Sequence, residues 1–521
     1  MCHLLNFDSE NLMSLLKARG INGAWIDILA THLRNKKQFL YILNDDKFKN
    51  ANFLDTDLLS ELSIGEISVL YEYSLSYDNR TSRQNNGQFF TPDDVAELMA
   101  KQSSKFETGI WLDPCSGIGN LSWHLIKFQS DKEKFLINNL ILSDTDELAL
   151  FIARVLFTIS FQRDDENLFN TIKDNFKVFD FISVADSGND SLFLDNSLNL
   201  IPQHDFVIVN PPYLATDENP SFETAKCTDL YAYFLENIIK TSKGFISITP
   251  QSFTNAAKFY SLRKLLLDRF NNLTIYNFDN VPDTIFHGIK FGSQNTNTAN
   301  SVRASIIVAL PHPAIHRITS LLRWKTNERK QMLESLDLFL SEAKLTPEYF
   351  PKVNKVLEPV FNALDKTKVL GDLLSDKETS FVLYIPSSPR YFIPALKKSV
   401  QRSSLKTLYF KNQNDLDFAY GLLNSSLLYW WWRIRDGGMT LSLETIKSLP
   451  IVNYSPNNKI IKLLEKSESE NRVYKINCGV AQENVKHPME VLKILNDIIV
   501  PDYSDKLLRT HQNSELVQLA A

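Results

Sequence analysis

Asn210-Pro211-Pro212-Tyr213 is the segment of this 521-residue chain whose residue types best suit a chemical task. It follows the apolar run Phe206-Val207-Ile208-Val209, so it stands where a buried strand should end. The chemistry it fits is methylation of a planar amino nitrogen. Such a nitrogen is a poor nucleophile because its lone pair is delocalised into the ring. Two acceptors aimed at its two hydrogens draw the lone pair out of conjugation. The side-chain oxygen of Asn210 and the backbone carbonyl of Pro211 supply that pair. Prolines fix φ and lack an N–H, which keeps the turn stiff and its carbonyls available. Tyr213 offers a ring face on which a base can stack.

A second set of residues could hold a cofactor. Asp113-Pro114-Cys115-Ser116-Gly117-Ile118-Gly119-Asn120 follows the strand signal Gly109–Leu112 and opens a helix. Its glycines allow close backbone approach to a ligand, but the acid comes first, unlike a dinucleotide loop. Asp113 can accept from an ammonium. Asp144 ends the strand signal at 140–142, where an acid can bind ribose hydroxyls. Asp146 reads as the N-cap of the next helix, or as a second ligand near adenine. Asp186 is expected to end a third strand over 181–185 and to accept from an adenine amino group. Thr91 in Gly87-Gln88-Phe89-Phe90-Thr91-Pro92 is expected to cap a helix with Pro92 at N1, and to offer donors to a carboxylate.

The elements that must position these residues alternate. Strand signals at 109–112, 140–142, 181–185, 206–209, 244–248, 273–278 and 304–309 are separated by helical stretches at 121–128, 147–159, 229–241 and 259–270. That alternation predicts an α/β, doubly wound, mainly parallel sheet, in which ligands bind beyond the carboxyl ends of the strands. Residues 1–80 read as a helical segment in which no chemistry shows. The division expected is 1–80, a central domain over 81–315, and a further domain over 316–521.

Composition narrows the classes. Hydrophobic residues make up 44% and charged residues 22%, as in a globular protein, and the net charge of −5 requires any nucleic-acid surface to be local. Cys2, Cys115, Cys227 and Cys478 are too scattered for a zinc site or disulfide framework, so no metal is expected. No signal peptide and no membrane span are expected, and a reducing cytoplasm is the simple reading.

Together these segments resemble the γ group of DNA amino-methyltransferases, the TaqI-like N6-adenine enzymes of restriction-modification systems. The Gln-Phe-Phe-Thr-Pro segment, Asp113 loop, two further acids, Asn-Pro-Pro-Tyr and a long C-terminal region stand in that family's order, and residues 80–315 carry the likeness. It departs in having Cys115-Ser116 where Ala-Cys is commoner. The resemblance implies a seven-stranded methyltransferase sheet and S-adenosylmethionine as cofactor, bound by Thr91, Asp113, Cys115, Gly117, Asp144 and Asp186. Asn210, Pro211, Pro212 and Tyr213 would hold the target base, with Phe286 or Phe291 as a second aromatic. It also implies a C-terminal target-recognition domain, double-stranded DNA as partner and a cognate restriction endonuclease on the same site, the chain itself being a monomer or dimer. Between 381 and 450 there are nine Lys/Arg against four Asp/Glu. Arg390, Arg402, Lys406, Arg433 and Arg435 are the expected DNA contacts, whereas Tyr429–Trp432 reads as buried. Cytosine N4, RNA adenine and a protein glutamine amide are the alternative acceptors, and a non-catalytic specificity subunit is the alternative class. The intact Asn-Pro-Pro-Tyr argues against the last. No fused nuclease is expected.

Overall fold

The computed structural model describes residues 7, 9–78, 91–161, 168–183, 201–286, 290–291, 294–295, 302–364, 366–389, 391–402, 404–436, 440–477 and 479–518. The chain divides into two compact units. The first comprises 1–253, 257–275 and 284–316, and the second 254–256, 276–283 and 317–521. The described helices ahead of position 80 fall within the first unit.

In the first unit the described strands of the main sheet are β1 (Trp111–Asp113), β2 (Leu140–Asp144), β3 (Phe176–Val178), β4 (Phe206–Val209), β5 (Gly244–Pro250), β6 (Asn272–Phe278, which passes into the second unit at Tyr276) and β7 (Ala304–Leu310). Their order is β6-β7-β5-β4-β1-β2-β3. β1 pairs in parallel with β2 and β4, β2 with β3, and β4 with β5, while β7 runs antiparallel to β5. The second unit contributes β8 (Arg317–Leu322) and β9 (Leu340–Glu342), an antiparallel pair, in the order β9-β8-β6. Among the described residues the strand order holds nine strands where seven are expected.

The helices of the first unit are α1 (Ser9–Arg34), α2 (Ile64–Asp78), α3 (Asp93–Lys101), α4 (Asn120–Lys127), α5 (Lys132–Asn138), α6 (Glu147–Ser160), α7 (Leu168–Thr171), α8 (Leu230–Thr241) and α9 (Tyr260–Arg269). β4 is an unbroken Phe-Val-Ile-Val run because both of its faces are covered, as parallel strands require. Beneath it Phe106, Trp111 and Phe206 form a three-ring cluster with centroids 5.0–5.3 Å apart. In α6 every residue from Leu148 to Thr158 is buried, so this helix behaves as a core element.

The second unit is built around the helices Gln413–Asn424 and Ser426–Arg435. Leu427, Leu428 and the buried Tyr429–Trp432 pack with Leu383 and Leu408 of the antiparallel pair β10 (Val382–Pro386) and β11 (Leu405–Tyr409), and with Phe410, the residue after β11. Among the described residues no helix is long and apolar enough to cross a membrane.

Candidate active site

Four parallel neighbours, β4-β1-β2-β3, end side by side, and the chemistry-bearing residues stand at those ends. Asp113 is the last residue of β1 and Asp144 the last of β2; Asn210 immediately follows β4. One cavity of about 530 Å³ opens there. It is lined by Thr91, Asp113, Cys115, Gly117, Asp144, Asn210, Pro211 and Pro212, so the structure gathers these expected site residues at one place.

The third strand is corrected. Asp186 lies outside the described residues, and the strand expected over 181–185 is found earlier, at Phe176–Val178. The acid that follows it and lines the cavity is Asp180, whose carboxylate accepts from the N–H groups of Ile182 and Ser183 at 2.9 and 3.2 Å. Exposed Lys177 and Val178 hid this short edge strand behind the more apolar Phe181-Ile182. The register of Phe176-Lys177-Val178 with its closing acid was the available signal.

The loop after β1 is shaped by two glycines in the left-handed region. Gly117 (φ 52°) has open space where a Cβ would sit, while a Cβ at Gly119 (φ 85°) would lie 2.8 Å from the Phe157 ring. The Gly117 N–H donates to Asp144 at 2.8 Å, tying the loop to the end of β2. Asp113 is fully buried. Ser122 donates to its Oδ2 at 2.9 Å, whereas its Oδ1 has no hydrogen-bond partner among the described residues. Burial pushes the Asp113 carboxyl up to about 7, against the opposing pull of Ser122. Asp144 is also held above the usual carboxylate range by burial, despite the N–H groups of Asp146 and Gly117. The Cys115 thiol donates to the Asn210 carbonyl at 3.2 Å, and burial pushes the thiol well above its ordinary range.

Asp146 is the N-cap. Its Oδ1 accepts from Leu148 and Ala149 N–H groups at 3.0 and 3.2 Å, and its Oδ2 from the Tyr71 hydroxyl at 2.5 Å. Thr91, by contrast, does not cap α3, whose cap position is Pro92. Its hydroxyl accepts from Asn210 Nδ2 at 2.9 Å, and its carbonyl accepts from Asn120 Nδ2 at 2.9 Å. Thr91 thus sets the Asn210 amide: with Nδ2 held on the Thr91 side, Oδ1 points the other way.

Tyr213 is packed by its neighbours. Its hydroxyl donates to the Ile248 carbonyl at 3.0 Å, and its ring meets Tyr231 and Phe286 edge-on, at 6.3 and 6.1 Å between centroids. Phe286 is buried and inclined 65° to Tyr213, a core contact and not the second face of a parallel slot. The Phe291 side chain lies outside the described residues.

One wall went unread in the sequence. Ser68, Tyr71, Glu72 and Leu75 of α2 line the same cavity, spaced as one helical face. That spacing was the available signal. With Asp113, Asp144, Asp146 and Asp180, Glu72 makes five carboxylates, and no Lys or Arg is among the described lining residues. The potential in the cavity therefore favours a cationic ligand.

In the second unit the expected DNA contacts divide. Arg433 is corrected. It is buried, donates to Asp279 at 2.8 Å and to the Leu321 carbonyl at 2.5 Å, and shares Asp279 with buried Arg323, also at 2.8 Å. A charge so placed is structural, because reaching a phosphate would break both bonds and leave Asp279 underpaired. Replacing Arg433 with Ala is expected to destabilise the protein by roughly 3 kcal/mol, read as a lowered midpoint in thermal unfolding; an unchanged midpoint would contradict the structural role. Arg435 lies over the Tyr349 and Trp431 rings at 4.1 and 5.4 Å. Arg402 is half-buried, donates to the Ser388 carbonyl at 3.2 Å and is shifted down by burial. Lys406 is half-buried on β11, and Arg390 lies outside the described residues.

Residues 138–286 match a family model described as Eco57I restriction-modification methylase. None of the curated proteins matches. Among solved structures, a DrdV–DNA complex is similar at 14% identity and TM-score 0.42, over 74% of this chain and 45% of that one. The ATP-dependent Type ISP restriction-modification enzyme LlaBIII bound to DNA is similar at 13% and 0.40, over 91% and 37%. A putative class I S-adenosylmethionine-dependent methyltransferase from Listeria monocytogenes is similar at 16% and 0.35, over 64% and 96%. The chain spans less than half the length of the first two. Likenesses this distant carry no argument for its activity.

Proposed function

We propose that this chain is the methyltransferase of a restriction-modification system, moving a methyl group from S-adenosylmethionine to N6 of a flipped adenine in double-stranded DNA. The observation that carries the reading is the Asn210 turn, set on the rim of an acid-lined cavity at the ends of β4, β1, β2 and β3. The match of residues 138–286 to a restriction-modification methylase family supports it.

The cavity residues fit that cofactor. Asp113 Oδ1 is a buried acceptor without a partner among the described residues, suited to an ammonium. Asp144 and Asp180 stand at successive strand ends, where ribose hydroxyls and an adenine amino group need acceptors. Five carboxylates suit a ligand carrying both an ammonium and a sulfonium. When bound, S-adenosylmethionine supplies a methyl group on a good leaving group.

The remaining work belongs to the chain. Thr91 orients the Asn210 amide, and Cys115 holds the Asn210 carbonyl, so the turn presents acceptors without rearranging. Asn210 Oδ1 and the Pro211 carbonyl accept the two amino hydrogens of the target base. Tyr213, anchored through Ile248, borders the place where the base is received after leaving the stack. With both hydrogens held by these acceptors the nitrogen lone pair would be turned out of the ring toward the methyl donor, and the proton in excess after transfer would leave to solvent. DNA outside the cavity is engaged by basic side chains such as the half-buried Lys406, not by Arg433.

The test is base-modification sequencing of DNA from a host without adenine methylation, expressing this chain or its Asn210→Ala variant. Methyladenine at one short motif with the wild type, absent with the variant, is the expected result. Methylcytosine at the motif would move the acceptor to N4, and an unmodified genome would overturn the DNA reading.

A further inference from the structure

The proposal below rests on the cofactor assigned above. Tyr71 lies on α2, in a segment whose sequence shows no chemistry, yet its hydroxyl donates to Asp146 Oδ2 at 2.5 Å across 75 positions of chain. Asp146 uses its other oxygen to cap α6. Its backbone N–H in turn donates to Asp144 Oδ1 at 3.0 Å. Tyr71, Asp146 and Asp144 therefore form a relay of three groups running from α2 to the end of β2, with Gly117 attached at its far side through Asp144 Oδ2. All four line the cavity, as do Ser68, Glu72 and Leu75 of the same helix face.

The relay solves an electrostatic problem. Asp144 and Asp146 bring two carboxylates within one turn of chain, in a site with no Lys or Arg among its described lining residues. The Asp146 charge adds to burial in disfavouring an ionised Asp144. A hydroxyl donor on Asp146 draws its charge away from Asp144 and fixes the rotamer that leaves Asp144 facing the cavity. Burial and the Asp146 charge hold the Tyr71 hydroxyl protonated, so toward Asp146 it is the donor.

We propose that Tyr71 is a positioning residue for the cofactor: through Asp146 it sets the Asp144 carboxylate, and α2 is one wall of the S-adenosylmethionine site. Helix α2 and the β2 loop are then a single ligand-responsive body. The hydroxyl matters for binding the cofactor, while the ring, kept in a Phe variant, maintains the packing against Trp25, 5.2 Å away between centroids.

The experiment is calorimetric titration of S-adenosylmethionine into the full chain and into Tyr71→Phe, in the absence of DNA. The variant is expected to bind about tenfold more weakly, as for loss of a hydrogen bond to a charged acceptor. At saturating cofactor its kcat on DNA should stay within about twofold of wild type. A merely structural Tyr71 would lower the melting temperature and leave the dissociation constant unchanged, which would overturn the proposal. A second measurement needs no variant: hydrogen exchange on the wild type should show slower exchange over 64–75 when S-adenosylmethionine is added. Unaltered exchange there, with binding confirmed by calorimetry, would also overturn it. Wild-type protein that fails to bind S-adenosylmethionine at all would instead remove the methyltransferase reading on which this rests.

Discussion

Replacing Asn210 with Ala is expected to slow methyl transfer by about a thousandfold, the scale of losing one preorganised polar group that acts in the transition state. Cofactor affinity should change by no more than about threefold, because the interaction is made only with the reacting amino group. The two readouts separate because Asn210 stands after β4 while the proposed ammonium and ribose acceptors stand at β1 and β2. The Asn210 amide is oriented by Thr91, so Thr91→Val should lose part of the same rate, about tenfold, again with little change in binding. Single-turnover methylation of an adenine-containing duplex, with cofactor binding measured separately, reads both quantities. Equal losses in rate and in cofactor affinity would show that Asn210 is a cofactor ligand and not an acceptor for the base.

Asp113→Asn is expected to act the other way round. An amide in place of the carboxylate turns an acceptor for an ammonium into a donor facing it, and cofactor affinity should fall by about a hundredfold, the scale of losing a buried charge-assisted partner. The same change should stabilise the cofactor-free protein at pH 8. The folded-state carboxyl sits near 7, above its ordinary value, because burial penalises the charge. A group raised in this way contributes stability at low pH that is lost as pH climbs through the folded value, and an amide has no such loss. The wild type carries the matching signature in binding. Below about 7 the free protein holds Asp113 protonated, and an ammonium requires it ionised. Cofactor affinity should therefore rise with pH, by at most about tenfold per unit, and level off above that point. Titrations between pH 5.5 and 8.5 test this; flat affinity across the range, or a variant that binds as well as wild type, would remove Asp113 from the ammonium role.

The sequence carried most of the sheet because its inner strands hold continuous apolar runs, as at Phe206–Val209 and Ile306–Leu310. It misplaced β3 because that strand is short and half-exposed, with Lys177 in the middle. Asp186, the acid expected after it, lies outside the described residues, while Asp180 follows the observed strand and lines the cavity. The residues around Asn210 and Asp113 were legible since their chemistry depends on neighbours a few positions away. Tyr71 was not, because its meaning comes from Asp146, and nothing local marks one tyrosine of a helix. Arg433 misled for the same reason. A basic residue beside three tryptophans resembles a phosphate contact until its partner Asp279, 154 positions earlier, is seen.

The hydrogen bonds that assemble the site join Tyr71 to Asp146, Cys115 to Asn210 and Thr91 to Asn210 across 75, 95 and 119 positions of chain. None lies within a helix or a strand ladder. Contacts of such long loop closure are entropically expensive and form late, once the sheet beneath them exists. On warming they should open early, as a local fluctuation well short of global unfolding. Heat should therefore silence this protein in two stages: methylation fails first, while far-ultraviolet circular dichroism still reports an intact α/β framework, and returns on cooling.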